Sequence, residues 1–172
     1  MAGQGLSDAD FDGMETWAAA IALSNAYDDD AGDGVDIALL KSSRGKKVIE
    51  LEGAESQLRI FDTLPEQEQR DLLAAVAKEA LEGDQKSDMR LQSWLRGDLN
   101  ALVKETHEGL LADPELREAL LVSRNKEWAG RIAGEMARGK TVFVAVGAAH
   151  TVGPDGLGAL LEAKGYTIQR VQ

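Results

Sequence analysis

His150 is the residue in this chain whose type and position most directly suggest chemistry. It follows Gly147 by three residues, just where the apolar run 141–146 (TVFVAV) stops. An imidazole changes protonation near neutral pH and binds metals when neutral, so it can serve as a proton carrier or as a ligand. Val142, Phe143, Val144 and Val146 are β-branched or aromatic, and both alternating faces of the run are apolar. That pattern predicts a strand buried on both sides. Open α/β sheets gather ligands at the carboxyl ends of their strands, which is where His150 falls. A histidine in such a loop is also a common hydrogen-bonded structural group, and spacing alone does not separate the two roles.

Glu52 closes a second strand-like run, 48–51, and is followed by Gly53. Arg124 and Asn125 belong to a helical segment, 120–137, in which Trp128, Ile132 and Met136 recur every fourth residue on one face. The other histidine, His107, has no glycine three residues before it and reads as a solvated or structural group. Five aspartates between Asp28 and Asp36 suggest calcium, but the register fails. Counting from Asp28, the fifth position is Gly32, the sixth Asp33 and the twelfth Leu39, where a calcium loop needs an oxygen ligand, glycine and glutamate. A solvated loop that caps the next helix is the expected structure.

Positioning these side chains requires a frame. Periodicity and capping signals predict helices over 14–23, 35–43, 55–61, 65–81, 86–95, 99–107, 120–137 and 154–164, with one more opening at Asp113-Pro114-Glu115. Strands are predicted at 48–51, 141–146 and 166–171. The chain therefore ends strand, helix, strand, and a right-handed crossover makes those two strands parallel. The expected fold class is α/β (α+β), a small three-stranded sheet, at least partly parallel, covered by many helices. The two outer strands alternate polar and apolar residues as edges do, and an exposed sheet edge predicts self-association.

Composition narrows the function classes. With 172 residues and 44% hydrophobic content the chain suits a single domain, 1–172, with a helix-rich insert at about 54–139. Nineteen basic against thirty acidic residues give a net charge of −11, which argues against nucleic acid and anionic membranes as partners. Cysteine is absent, which excludes disulfides, thiolate metal sites and cysteine nucleophiles. No apolar run approaches the roughly 20 residues that span a bilayer. The opening MAGQGLSDADFDGM has neither the positive flank nor the apolar stretch of a secretory signal. The compartment stays open.

Several pieces, taken in order, resemble the TraB/GumN family. They are M-x-x-W at Met14 and Trp17, G-V-D-x-x-L from Gly34 to Leu39, and K-V-I-x-L-E from Lys47 to Glu52. Gln57-Leu58, W-x-x-G-D from Trp94 to Asp98, R-N-x-x-W from Arg124 to Trp128, and FVAVGAAH-x-x-G-x-x-G from Phe143 to Gly156 complete the series. The resemblance runs nearly end to end. Small departures are Thr16 where the family often has proline, and Ala149 and Thr151 beside the histidine where glycine and leucine are usual.

The resemblance implies a sheet-and-helix fold related to the Tiki proteases, in which two G-x-x-H motifs face each other across a metal-dependent hydrolytic site. Gly147 and His150 match the second motif, and Glu52, Arg124 and Asn125 match other polar positions. It implies His150 and Glu52 as ligands of a divalent metal (Mn, Co or Zn), Arg124 as the stabiliser of negative charge, and Asn125 as a substrate-orienting group. The substrate would be a peptide or a small molecule. The family's first G-x-x-H and its accompanying acidic residue have no counterpart in the chain. The expectation is thus the C-terminal portion of a family member, periplasmic or secreted if its precursor is exported. Two protein ligands fall short of the roughly three usual in hydrolytic metal sites, so the site is expected to be incomplete and the metal weakly held. The alternative is a non-catalytic binding or regulatory module, or a truncated fragment of a longer member.

Overall fold

The structure, a computed structural model, describes residues 11–27, 35–82 and 84–171. The aspartate-rich loop considered for calcium falls mostly on 28–34, outside the described residues. The chain divides into two compact units, Met1–Leu81 and Glu82–Gln172.

The first unit contains α1 (Thr16–Tyr27), α2 (Val35–Ser42), α3 (Ala54–Asp62) and, up to Leu81, α4 (Glu66–Glu82). Pro65 precedes α4, and Glu66 and Glu68 place negative charge in its first turn, where the helix dipole favours it. Ala19, Ala20, Leu64 and Leu72 are buried. The rings of Trp17 and Phe61 stack with centroids 6.4 Å apart. Gln69 is buried but satisfied at both ends: its amide nitrogen donates to the Leu64 carbonyl at 2.9 Å, and its oxygen accepts from the Trp17 amide at 3.2 Å.

The second unit contains α5 (Asp84–Leu95), α6 (Leu99–Glu105), a 3-10 turn (Gly109–Ala112), α7 (Pro114–Arg117) and a π-helical turn (Glu118–Val122). The helix α8 (Ser123–Ala137), a 3-10 turn (Ala148–His150) and α9 (Leu157–Glu162) complete it. Local sequence sets the starts. Asp98 accepts from the Ala101 amide at 3.1 Å, and Asp113 accepts from the amides of Glu115 and Leu116 at 3.0 and 2.9 Å. Leu102, Leu116, Leu121, Val122, Trp128, Ala129, Ile132 and Leu157 form the core of this unit.

The expected sheet is not there. Among the described residues there is no strand: 48–51, 141–146 and 166–171 carry no ladder, so the fold is helical rather than α/β or α+β. A strand is completed by a neighbour that takes up its amides and carbonyls, and a run without one gains nothing from extension. The run 141–146, expected to be buried on both sides, leaves Phe143 82% exposed. The last run is held by side chains instead: the Tyr166 hydroxyl donates to the Ala133 carbonyl at 3.2 Å, and Arg170 donates to the Gly97 carbonyl at 2.8 Å. The sheet edge expected to drive self-association falls with the sheet.

Candidate functional site

The site is built on the start of α8. Ahead of it, the Ser123 amide bonds to the Glu118 carbonyl five residues back, a π-type turn. Such a turn carries one residue more than an α-turn and so rotates the side chains of α8 about the helix axis. Asn125, Trp128, Ala129 and Ile132 then share one buried face at offsets of three, four and seven. Arg124, one step round, is half-buried beside them. Its guanidinium lies 4.8 Å from the centre of the Trp128 ring and donates to the Leu120 carbonyl at 2.9 Å.

His150 arrives from the other side on a tight turn. Its amide bonds to the Gly147 carbonyl at 3.0 Å, and the Thr151 amide bonds to the Ala148 carbonyl at 2.9 Å. Gly147 has an ordinary φ of −57°. A β-carbon there would sit 3.8 Å from the His150 ring, an ordinary contact. Gly156 is different. A β-carbon at that position would lie 2.5 Å from the Val152 carbonyl oxygen, so the loop 151–156 closes only with glycine there.

The imidazole packs obliquely on Trp128, with centroids 4.5 Å apart and planes at 42°. Its Nδ1 lies 2.6 Å from Oδ1 of Asn125, which is fully buried. A second bond of Asn125 fixes the tautomer. The Asn125 Nδ2 donates to the Asp155 backbone carbonyl at 2.8 Å. A carbonyl can only accept, so the amide nitrogen must face Asp155 and the amide oxygen must face the ring. His150 therefore carries its proton on Nδ1, and its Nε2 keeps a lone pair. Burial, and secondarily the charge of Arg124, lowers its pKa from 6.5 to about 4. The ring is neutral at physiological pH.

Behind Asp155 stands Arg117. Its Nε donates to the Thr106 carbonyl at 3.0 Å and its Nη2 to the Asp155 carboxylate at 2.8 Å. Arg117 and Asp155 were not among the residues expected from sequence. Asp155 acts on Asn125 through its backbone, which has no side-chain signature, and Arg117 stands 38 positions before it. Of the expected site residues, Arg124, Asn125 and His150 come together in the second unit, and Glu52 belongs to the first, half-buried just after 48–51. His107 is exposed, with Nδ1 3.1 Å from both the Val103 carbonyl and the Thr106 hydroxyl on its own turn.

No helix among the described residues is long and apolar enough to cross a membrane. No curated protein and no solved structure matches the chain. The model of the TraB/PrgY/gumN family matches residues 1–170, a span that takes in the arginine–asparagine pair on α8 and the histidine turn it holds. The chain belongs to the TraB/PrgY/gumN family.

Proposed function

We propose that the second unit carries the histidine side of a metal-dependent, protease-like hydrolase site, with His150 as its ligand, and that with this ligand alone turnover is weak or absent. The observation that carries this reading is the bond from His150 Nδ1 to Asn125, which leaves Nε2 as a neutral donor atom. Metal-ligating histidines commonly donate their second nitrogen to a fixed acceptor in this way.

The donor set fits a divalent ion in kind. A neutral imidazole suits a borderline divalent ion such as zinc. In number it falls short of the roughly three protein ligands of hydrolytic sites. Once bound, such an ion would lower the pKa of its water and polarise a carbonyl. The chain's own residues would do the rest. Arg124, held over Trp128, would offer positive charge to an oxygen that becomes negative. Asn125 would act on His150 and not on substrate, because it is fully buried and both ends of its amide are engaged.

The test is peptide cleavage with added manganese, cobalt or zinc, run on the wild type and on His150→Ala. Cleavage that depends on metal and disappears in the variant supports the reading, and identical traces remove it. The shortage of ligands favours a second reading, a non-catalytic binding module. That reading predicts a metal-induced rise in melting temperature, lost in His150→Ala, without any cleavage.

A further inference from the structure

We infer that Arg117 is a positioning residue for His150: the Arg117–Asp155 ion pair holds the Asp155 carbonyl where it orients the Asn125 amide and so sets which imidazole nitrogen is free. The proposal rests on His150 being the working ligand, but the tautomer can be read with neither metal nor substrate present.

The geometry is a chain of four links. Arg117 ties the Thr106 carbonyl, just beyond α6, to the Asp155 side chain in the loop before α9. The Asp155 carbonyl takes the Asn125 nitrogen, and the Asn125 oxygen takes the His150 proton. The Arg117 side chain is only 17% exposed, so its two bonds are shielded from water more than those of a surface pair. The other ion pairs of known geometry are mostly between exposed groups close in sequence, such as Arg131–Glu127 and Lys104–Glu108. Arg117–Asp155 instead joins segments far apart in the chain.

The chain of bonds has two discrete settings because an amide has two ends. With the Asp155 carbonyl in place, only the orientation with nitrogen toward Asp155 satisfies both neighbours. If that carbonyl withdraws, the Asn125 amide is free to turn and present nitrogen to the ring. Nδ1 must then accept, the proton moves to Nε2, and the nitrogen that could hold a metal is blocked. Burial of Asn125 makes the intermediate case, an unpaired amide, costly. Arg117 thus acts on the ring through Asp155 and Asn125 without touching it.

The experiment is nitrogen-15 NMR of the imidazoles near neutral pH in the presence of a chelator, with His107 as the internal reference. Long-range proton–nitrogen correlations distinguish the two tautomers directly. The wild type is expected to show His150 protonated at Nδ1. Arg117→Met removes both bonds and Asp155→Ala removes the ion pair while keeping the backbone carbonyl. Each is expected to raise the share of the Nε2-protonated form about tenfold, and Arg117→Lys, which keeps the charge but not the two-pronged grip, by less. An unchanged His150 tautomer in folded Arg117→Met overturns the proposal. If Arg117→Met fails to fold, Asp155→Ala decides it on the same criterion. A tautomer shift in a protein that neither binds metal nor cleaves peptide sinks the hydrolase reading and leaves the positioning role standing. Metal binding with an unmoved tautomer does the reverse.

Discussion

His150 Nδ1 stands 2.6 Å from Asn125 Oδ1, and the two residues lie 25 positions apart in the chain. The pair converts a flexible side chain on a loop into a ring with one fixed tautomer. Trp128 supports its face and the buried amide of Asn125 fixes its edge, so neither ring rotation nor proton exchange between nitrogens is free. What remains is the lone pair on Nε2.

Replacing Asn125 tests how much this costs to lose. Asn125→Ala removes the acceptor for His150 Nδ1 and the donor for the Asp155 carbonyl in one step, inside a buried site. Unsatisfied buried groups cost about 1–3 kcal/mol each. The variant is expected to lose stability in that range at least, measured by urea denaturation. A loss below about 0.5 kcal/mol, the usual scale of surface substitutions, would show that water replaces both partners without penalty.

Stability should also depend on pH through His150. Burial and the Arg124 charge hold its pKa at about 4 in the folded chain, against 6.5 when exposed. Above 6.5 the ring is neutral in both states and pH has no effect through it. As pH falls from 6.5 toward 4, only the unfolded chain takes up the proton, and stability declines; below about 4 the folded chain takes it too and the decline levels off. The ring is partly exposed, so the loss is smaller than the full shift implies. Subtracting the melting curve of His150→Gln isolates it from the carboxylates. A wild-type-minus-variant difference that stays flat from about pH 7 to 4 would mean that the ring titrates alike in both states.

The helices were legible because their signals are local. Asp98 and the Asp113-Pro114 pair announce helix starts within a few residues of the bonds they make, and the every-fourth-residue spacing marked Trp128 and Ile132 as buried. Strands have no such local signal. An apolar run such as 141–146 says that it suits a sheet, but only a second segment can make it one, and β-propensity is mostly packing against such neighbours. The site divides the same way. The arginine–asparagine pair and the G-x-x-H turn are short motifs, readable in place. Asp155 contributes a backbone carbonyl, and Arg117 bonds the carboxylate of the same residue from 38 positions away, so neither has a local pattern.

Two glycines near the histidine should respond differently to the same change. Gly156→Ala drives a methyl group against the Val152 carbonyl and the Thr151 carbonyl carbon, at 2.5 and 2.8 Å, and backbone cannot yield as a side chain can. Overpacking of this kind costs about 1–3 kcal/mol or more. Gly147→Ala meets only the edge of the His150 ring at 3.8 Å, from a backbone any residue adopts. It is expected to change stability by less than about 1 kcal/mol. Chemical denaturation of the two variants side by side checks the order, and a larger loss for Gly147→Ala would contradict the turn geometry.

Arg124 offers a way to separate the two causes of the low His150 pKa. Burial is the larger and the Arg124 charge the smaller. Arg124→Gln keeps much of the length and the capacity to bond the Leu120 carbonyl while removing the charge. The His150 pKa should then rise from about 4 but stop short of 6.5, because packing on Trp128 and the turn still desolvates the ring. Imidazole NMR titration gives the value directly. No rise at all would assign the whole effect to burial, and a return to 6.5 would assign it to charge. The charge also opposes any cation near Nε2. The variant should therefore bind zinc no more weakly than the wild type, even as it loses the positive group that a hydrolase would turn toward developing negative charge. Improved metal binding with reduced cleavage would be the mark of a residue that acts on substrate, and a parallel loss of both would place Arg124 in the scaffold alone.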